Sequence, residues 1–407
     1  MGIRHLPEEI KKNIRELSFN IKDEVINWRR HIHMYPELSG EEEKTAKFVA
    51  QKLKEIGVDE VIENFGGTTA VVGLIKGKHN VTVALRADMD ALPMIEKIEV
   101  PYRSKYEGVM HSCGHDAHTA ILLGAAKVLV EMKKYLMGNI KLIFQPCEER
   151  HDCDGAKKLI EAGVLENPEV SAIFGMHMFP ELPAGKVGTK PGYFMASSDI
   201  FKVVIKGKGS HASRPHLGVD PVVIASQAIS SIHHIVSRKV DPLHPAVVTI
   251  GKIEGGYAEN IIPDEIKFSG TVRTLSIELR DEIPKWMEHT IWGITLAYGG
   301  AYKFEYEHGT PPVINDEKTT KFALGMMKDL LGEENVIELE HPSMGGEDFG
   351  EYLLKVPGTF IRIGIRNEEK GITAPLHSPV FDIDEDALPV GVAVMSYLAF
   401  KWVEEHS

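Results

Sequence analysis

Glutamine is nearly missing from this chain of 407 residues, which has only Gln51, Gln145 and Gln227. Against abundant Glu and Lys, that scarcity leans toward a thermophilic source and excludes no function. Cysteine is as scarce. Cys113, Cys147 and Cys153 are too few for a disulfide scaffold and fit a reducing compartment, although Cys147 and Cys153 stand close enough in sequence for a local bridge. No basic stripe is present either. The formal charge is −13 and the basic residues are scattered, so nucleic acid is not an expected partner. The opening MGIRHLPEEIKKNIRELS is charged throughout and lacks the apolar core of a signal peptide. No later span reads as a membrane helix, so a cytoplasmic location without a membrane partner is expected.

What remains is ordinary for a globular protein, with 43% apolar and 26% charged residues. The length favours two domains. Apolar positions recur at helical spacing from about residue 7 to 57, break at Tyr35-Pro36, and resume after Ser39, which has the signature of an N-cap. Two helices should therefore open the chain. The runs TAVVGLI (69–75), VTVALRAD (81–88) and NIKLIFQP (139–146) read as strands, with a helix from about His118 to Lys134 between the second and third. Such alternation predicts an α/β fold, a mainly parallel sheet flanked by helices.

After Gly192 the pattern becomes strand, helix near 220–236, two strands, helix near 276–298, strand. That is the ferredoxin-like α+β order, a unit that can be inserted into another domain. The expected division is a discontinuous catalytic domain, 1–191 and 309–407, interrupted by an inserted lid or dimerisation domain at 192–308. The tail should return to α/β character, closing with a helix near 384–403.

Metal-ligand side chains concentrate in RADMDALP (86–93), MHSCGHDAHTA (110–120), FQPCEER (144–150), FGMHMFPELPAG (174–185) and PLHSPVF (375–381). Each follows or ends a predicted strand, and ligands of open parallel sheets bind beyond the carboxyl ends of strands. His and Cys mixed with carboxylates suit a hydrolytic metal site. Taken singly, Cys113 reads as a small core residue and each histidine as a satisfied polar group; together they read as one cluster. Glu148 and Glu149 repel as neighbours and need cations or solvent, either as a solvated turn or as a metal ligand beside a general base.

The pieces WRRHIHMYPELS, RADMDALP, MHSCGHDAHTA, FQPCEE, GSHASRPHLGVDP, GGYAENIIPDEIKFSGTVRT and SMGGEDF occur in order. Over nearly its whole length the chain resembles the metallopeptidase family of aminoacylase, glutamate carboxypeptidase, hippurate hydrolase and the plant auxin-conjugate amidohydrolases. The match is nearest to the Cys-bridged subfamily that includes archaeal carboxypeptidases. This resemblance implies hydrolysis of N-acyl amino acids or of the C-terminal bond of short peptides. It also implies two divalent metal ions, zinc with cobalt or manganese as substitutes, and a homodimer or higher homo-oligomer formed through the inserted domain.

Carried over by position, the resemblance makes Cys113 the ligand shared by the two metals and His115, Glu149, His177 and His377 the others. Glu148 becomes the general base. Where other branches have His-x-Asp, this chain has Asp88-Met89-Asp90, so His115 takes over that metal and Asp90 orients a ligand. His211 is implied as a transition-state donor reaching a neighbouring subunit's site, with Asn260 and Arg273 contacting substrate. For Arg273 the rival reading is a surface arginine on an edge strand. His31 and His33 have ligand-like spacing but lie in a helical segment and read as structural.

The chain departs from its relatives at RHDCD (150–154), which replaces a small, Gly-rich stretch, and at Cys147, where alanine is usual. Cys147, His151 and Cys153 could perturb the site, bind extra metal or form a redox-sensitive pair. Gly207, Gly209 and Ala212 satisfy G-x-G-x-x-A, but Pro215 and Gly218 hold this segment in a loop, against a dinucleotide fingerprint. The rival to catalysis is a non-catalytic homologue that binds amino-acid conjugates, which would have no need of the base.

Overall fold

The computed structural model describes residues 6–150 and 152–407. The chain forms two compact units, Met1–Gly192 with Asn315–Glu340 and Glu351–Ser407, and Tyr193–Ile314 with His341–Gly350. The sequence reading left 341–350 in the first domain. In the structure this stretch joins the second unit, because Ser343 bridges Met195 and the Ala196 N–H donates to the carbonyls of Ser343 and Gly345.

The first unit is built on an eight-stranded mixed sheet. Its spatial order is Glu60–Glu63, Val71–Ile75, Asn139–Gln145, Thr82–Asp88, Ala172–Pro183, Gly358–Arg366, Val187–Thr189, Val336–Glu338. The four central strands, from Asn139–Gln145 to Gly358–Arg366, pair in parallel. They are mainly apolar and largely buried, as strands covered by helices on both sides must be.

Two helices fix the centre of this unit. His115–Glu131 and Ala387–Glu405 are apolar nearly all round and buried on every side. They cross closely at two glycines: a Cβ on Gly124 would lie 2.6 Å from Val392 Cγ2, and one on Gly391 would lie 2.5 Å from Ile121 Cδ1. By length and composition Ala387–Glu405 could cross a membrane, contrary to the sequence reading that no such span exists, but 89% of its apolar window is buried inside the protein. Truncating Leu388 or Phe400 to Ala would cost about 2–5 kcal/mol.

The opening region holds three helices rather than two: Leu6–Asn20, Lys22–Met34 and Glu43–Ile56. Ser39 does not cap the third. Its hydroxyl instead donates to Asp90 Oδ2 at 2.6 Å, and Glu42, the residue at the cap position, makes no side-chain cap. Arg29, fully buried, binds Asp116 Oδ2 at 2.7 Å and Asp382 Oδ1 at 2.9 Å, and His33 bridges Asp116 and Glu96. His31 stacks on Phe48. The H-x-H pair is structural, as its helical setting suggested.

In the second unit an antiparallel sheet runs in the order Ala246–Gly255, Glu265–Thr274, Ser198–Lys206, Ala301–Thr310. Helices Pro221–Arg238 and Ile277–Ala297 pack on it through Ile224, Ile232, Ile283 and Met287, giving the ferredoxin-like plan. Asp220 and Ser276 cap the two helices with their side chains.

Candidate metal centre

The parallel strands bring the ligand-rich segments to one edge of the first unit. Asp88 ends its strand, Glu148 and Glu149 follow Asn139–Gln145, His177 lies in Ala172–Pro183, and His377 follows Gly358–Arg366. Cys113 and His115 flank Gly114 where the helix His115–Glu131 begins. Gly114 has φ 91°, and a Cβ there would lie 2.8 Å from Met178 Cγ, so only glycine allows this turn.

Donor atoms of Cys113, His115 and His177 lie within 4.8 Å of one another, as do those of Cys113, Glu149 and His377, and those of His115, Glu148 and Glu149. Cys113 Sγ is 3.4 Å from His177 Nε2, His115 Nε2 is 3.8 Å from Glu149 Oε1, and His377 Nε2 is 3.3 Å from the same oxygen. Ligand bonds of about 2.0–2.3 Å around a tetrahedral ion place neighbouring donors about 3.3–3.8 Å apart. The spacings fit.

The ring nitrogens left over are correctly oriented. His115 Nδ1 pairs with Asp90 Oδ1 at 3.1 Å and His177 Nδ1 with the Met178 carbonyl at 2.7 Å, so each ring turns Nε2 toward the cluster. Asp90 Oδ2 also accepts from the Glu149 N–H at 2.9 Å. Asp90 therefore orients His115 and fixes the Glu149 backbone at once. His115 Nε2 and Glu149 Oε1 are buried without a hydrogen-bond partner, an arrangement that a cation would relieve.

Protonation points the same way. Burial, then Glu149, Glu148 and Asp88, push the Cys113 thiol well above its ordinary value. Burial opposes a charged His115, but Asp88, Asp90 and Glu149 outweigh it and raise the imidazole to about 10. Burial and His118 hold His177 well below the usual range, while the adjacent Glu149 carboxylate raises His377. Acidic groups packed around a thiol and imidazoles hold protons that a divalent cation would displace. The donor set suits such a cation.

His118 has a part that sequence reasoning missed. Its Nδ1 pairs with Asp88 Oδ1 at 2.5 Å, and its Nε2 accepts the Met178 N–H at 2.8 Å. Asp88 in turn binds Arg86 Nη1 at 2.7 Å. The available signal was the spacing His115-x-x-His118, which puts both rings on one helix face.

His211, Asn260 and Arg273 all lie in the second unit. Ser210–His211 pairs with Ile261–Ile262, and the Ala212 N–H donates to the Asn260 carbonyl at 3.0 Å, so the first two are neighbours. His211 Nδ1 accepts from the Ser213 N–H at 3.1 Å, which leaves Nε2 as the outward donor. Arg273 is half-buried in an interior strand, not on an edge, and a Cβ on Gly346 would lie 3.2 Å from its Nη1.

Cys147 and Cys153 form a disulfide, and Cys113 is a free, buried thiol. His151, singled out with them in sequence, lies outside the described residues.

Residues 84–401 match the model of peptidase family M20/M25/M40. Thermostable carboxypeptidase 1 of Saccharolobus solfataricus is 43% identical over 98% of this chain and 99% of its own length. N-acetyl-L-cysteine deacetylase of Bacillus subtilis is 42% identical over 90% of this chain and 85% of its own. Among solved structures, a dinuclear metal-binding M20 peptidase of Bacillus subtilis superposes with a TM-score of 0.82 at 38% identity, covering 95% of this chain and 99% of that one. With a family match over most of its length and relatives of this identity, the chain belongs to peptidase family M20/M25/M40 and is a metal-dependent hydrolase of amide bonds.

Proposed function

We propose that this hydrolase cleaves N-acyl amino acids, or the C-terminal bond of short peptides, at a dinuclear centre held by Cys113, His115, Glu149, His177 and His377. The convergence of His115 Nε2 and Glu149 Oε1, neither of them hydrogen-bonded, with these donors, beside Glu148, carries this reading. The names of the carboxypeptidase and deacetylase relatives support the substrate class. Bound divalent metals supply Lewis acidity to the scissile carbonyl and lower the pKa of water to about 7.

Glu148 takes the proton of the attacking water, whose oxygen bonds to the carbonyl carbon, and delivers it to the leaving nitrogen as the C–N bond breaks. His211, with Nε2 turned outward, donates to the developing oxyanion. Asn260 and Arg273 contact the substrate, the guanidinium fork pairing with its α-carboxylate. We extend the reading to zinc as the resident metal, to a homodimer or higher homo-oligomer formed through the inserted unit, which supplies His211 across subunits, and to a cytoplasmic location. For the domains we keep a discontinuous catalytic part and an inserted lid.

A panel of N-acyl amino acids and dipeptides, assayed with zinc, cobalt and manganese after chelation, tests the reading. Hydrolysis should return only with metal and only for substrates with a free α-carboxylate. Equal cleavage of α-amides would refute the role of Arg273, and full activity in metal-free protein would refute the centre.

A further inference from the structure

Glu148 and Glu149 sit in an irregular loop that is closed on itself by the Cys147–Cys153 disulfide, six residues apart. Two adjacent carboxylates repel, and a loop free to move would turn them apart into water. Cys147 lies at φ 61°, a left-handed conformation unusual for a residue with a side chain, and its N–H donates to buried Glu42 Oε1 at 3.0 Å.

Both sulfurs rest on Gly40, where a Cβ would lie 3.5 Å from Cys147 Sγ and 3.4 Å from Cys153 Sγ. The neighbouring residue, Ser39, holds Asp90, which in turn binds His115 Nδ1 and the Glu149 N–H. The segment that seats the disulfide is thus the segment that holds the orienting carboxylate. Arg150 adds a further tie, donating to the Ser39 carbonyl at 3.4 Å. Cys147 is 5% exposed, and Cys153 is partly exposed.

We propose that Cys147 and Cys153 are positioning residues whose bridge holds Glu148 and Glu149 at the metal centre, so that the oxidised chain retains metal and the reduced chain releases it. The inference rests on the roles given above to that glutamate pair. A dithiol reductant supplies the two electrons and two protons: its sulfurs become a disulfide as the Cys147–Cys153 bond breaks to two thiols. Cys113 remains a thiol or thiolate in both states.

The experiment uses the full chain loaded with zinc. One half is reduced with a water-soluble phosphine, which binds zinc weakly, and desalted; thiols are counted by alkylation and mass spectrometry, and zinc transfer to a chromophoric chelator is timed. Reduction should expose two new thiols and speed release of zinc at least tenfold, and reoxidation should restore the slow rate. A Cys147→Ala/Cys153→Ser double variant should release zinc fast with or without phosphine, which assigns the effect to this pair rather than to Cys113.

Two new thiols with an unchanged release rate would overturn the proposal, as would alkylation of Cys147 and Cys153 without reductant or slow release from the double variant. Glu149→Gln, measured in the oxidised form, separates the underlying reading. If that variant holds zinc as tightly as the parent, Glu149 is not a ligand, whatever reduction does. If it loses zinc while reduction has no effect, the ligand stands and the bridge is idle.

Discussion

His118 Nε2 accepts the Met178 N–H at 2.8 Å, and this contact occupies the lone pair that a ligand would need. With Nδ1 committed to Asp88, both ring nitrogens of His118 have protein partners, so on the ligand set proposed above it braces the backbone beside His177. Its replacement should therefore differ from loss of a ligand. His118→Asn should keep two metals per chain but bind them about 10–100-fold more weakly, whereas His177→Ala should lose metal outright. Elemental analysis and chelator competition on the two variants read the difference, and equal stoichiometric loss in both would make His118 a ligand.

The paired glutamates should separate by function. Glu148→Gln should keep its metals and lose several orders of magnitude in kcat, while Glu149→Gln should lose metal first. Metal content measured beside single-turnover rates tests the assignment, and substantial activity in Glu148→Gln would exclude it as the base.

His33 gives a pH dependence of stability. Burial and Arg29 oppose its protonation, but Asp116 and Glu96 outweigh them and raise it above the ordinary 6.5. A raised folded-state value means the stabilisation is complete below pH 6.5 and is lost as pH rises through the folded value. Urea unfolding from pH 6 to 9 should show this decline. In His33→Gln the slope should flatten and stability below pH 6.5 should fall by about 3–5 kcal/mol, as when a buried ion pair loses one partner. An unchanged slope would mean that His33 is neutral in the fold.

If the inserted unit supplies His211 across subunits, two dead variants should rescue each other. His211→Ala and Glu148→Gln homo-oligomers should each be nearly inactive, yet mixed dimers should regain one competent site out of two. Activity after verified subunit exchange is the measurement, and no recovery would confine His211 to its own chain.

The site was legible because its logic is that of strand ends. Glu148 and His377 follow strands of the parallel centre and His177 lies within one, and a sequence that alternates strands with helices announces where those strands fall. Contacts with distant backbone were not legible. Nothing local shows that His118 meets an N–H sixty residues away, or that Ser39, placed like an N-cap, spends its hydroxyl on Asp90. The helix expected from His118 begins at His115 because Gly114 adopts a positive φ, which polar residues buried near a metal centre conceal from an apolar-periodicity reading. The break at Ile21 has neither proline nor glycine to mark it.

The close crossing of His115–Glu131 with Ala387–Glu405 also sets an order of assembly on the ribosome. Synthesis proceeds at about 5–20 residues per second, from the N-terminus. Every strand of the ferredoxin-like sheet and both its helices have been synthesised once Thr310 is made, whereas the core beneath the first unit's sheet lacks its central helix until Ala387–Glu405 appears. Through that interval Ile121, Gly124 and their neighbours present bare apolar surface to solvent or to a chaperone. The inserted unit can thus be finished while the unit that surrounds it in sequence is still waiting for its last helix.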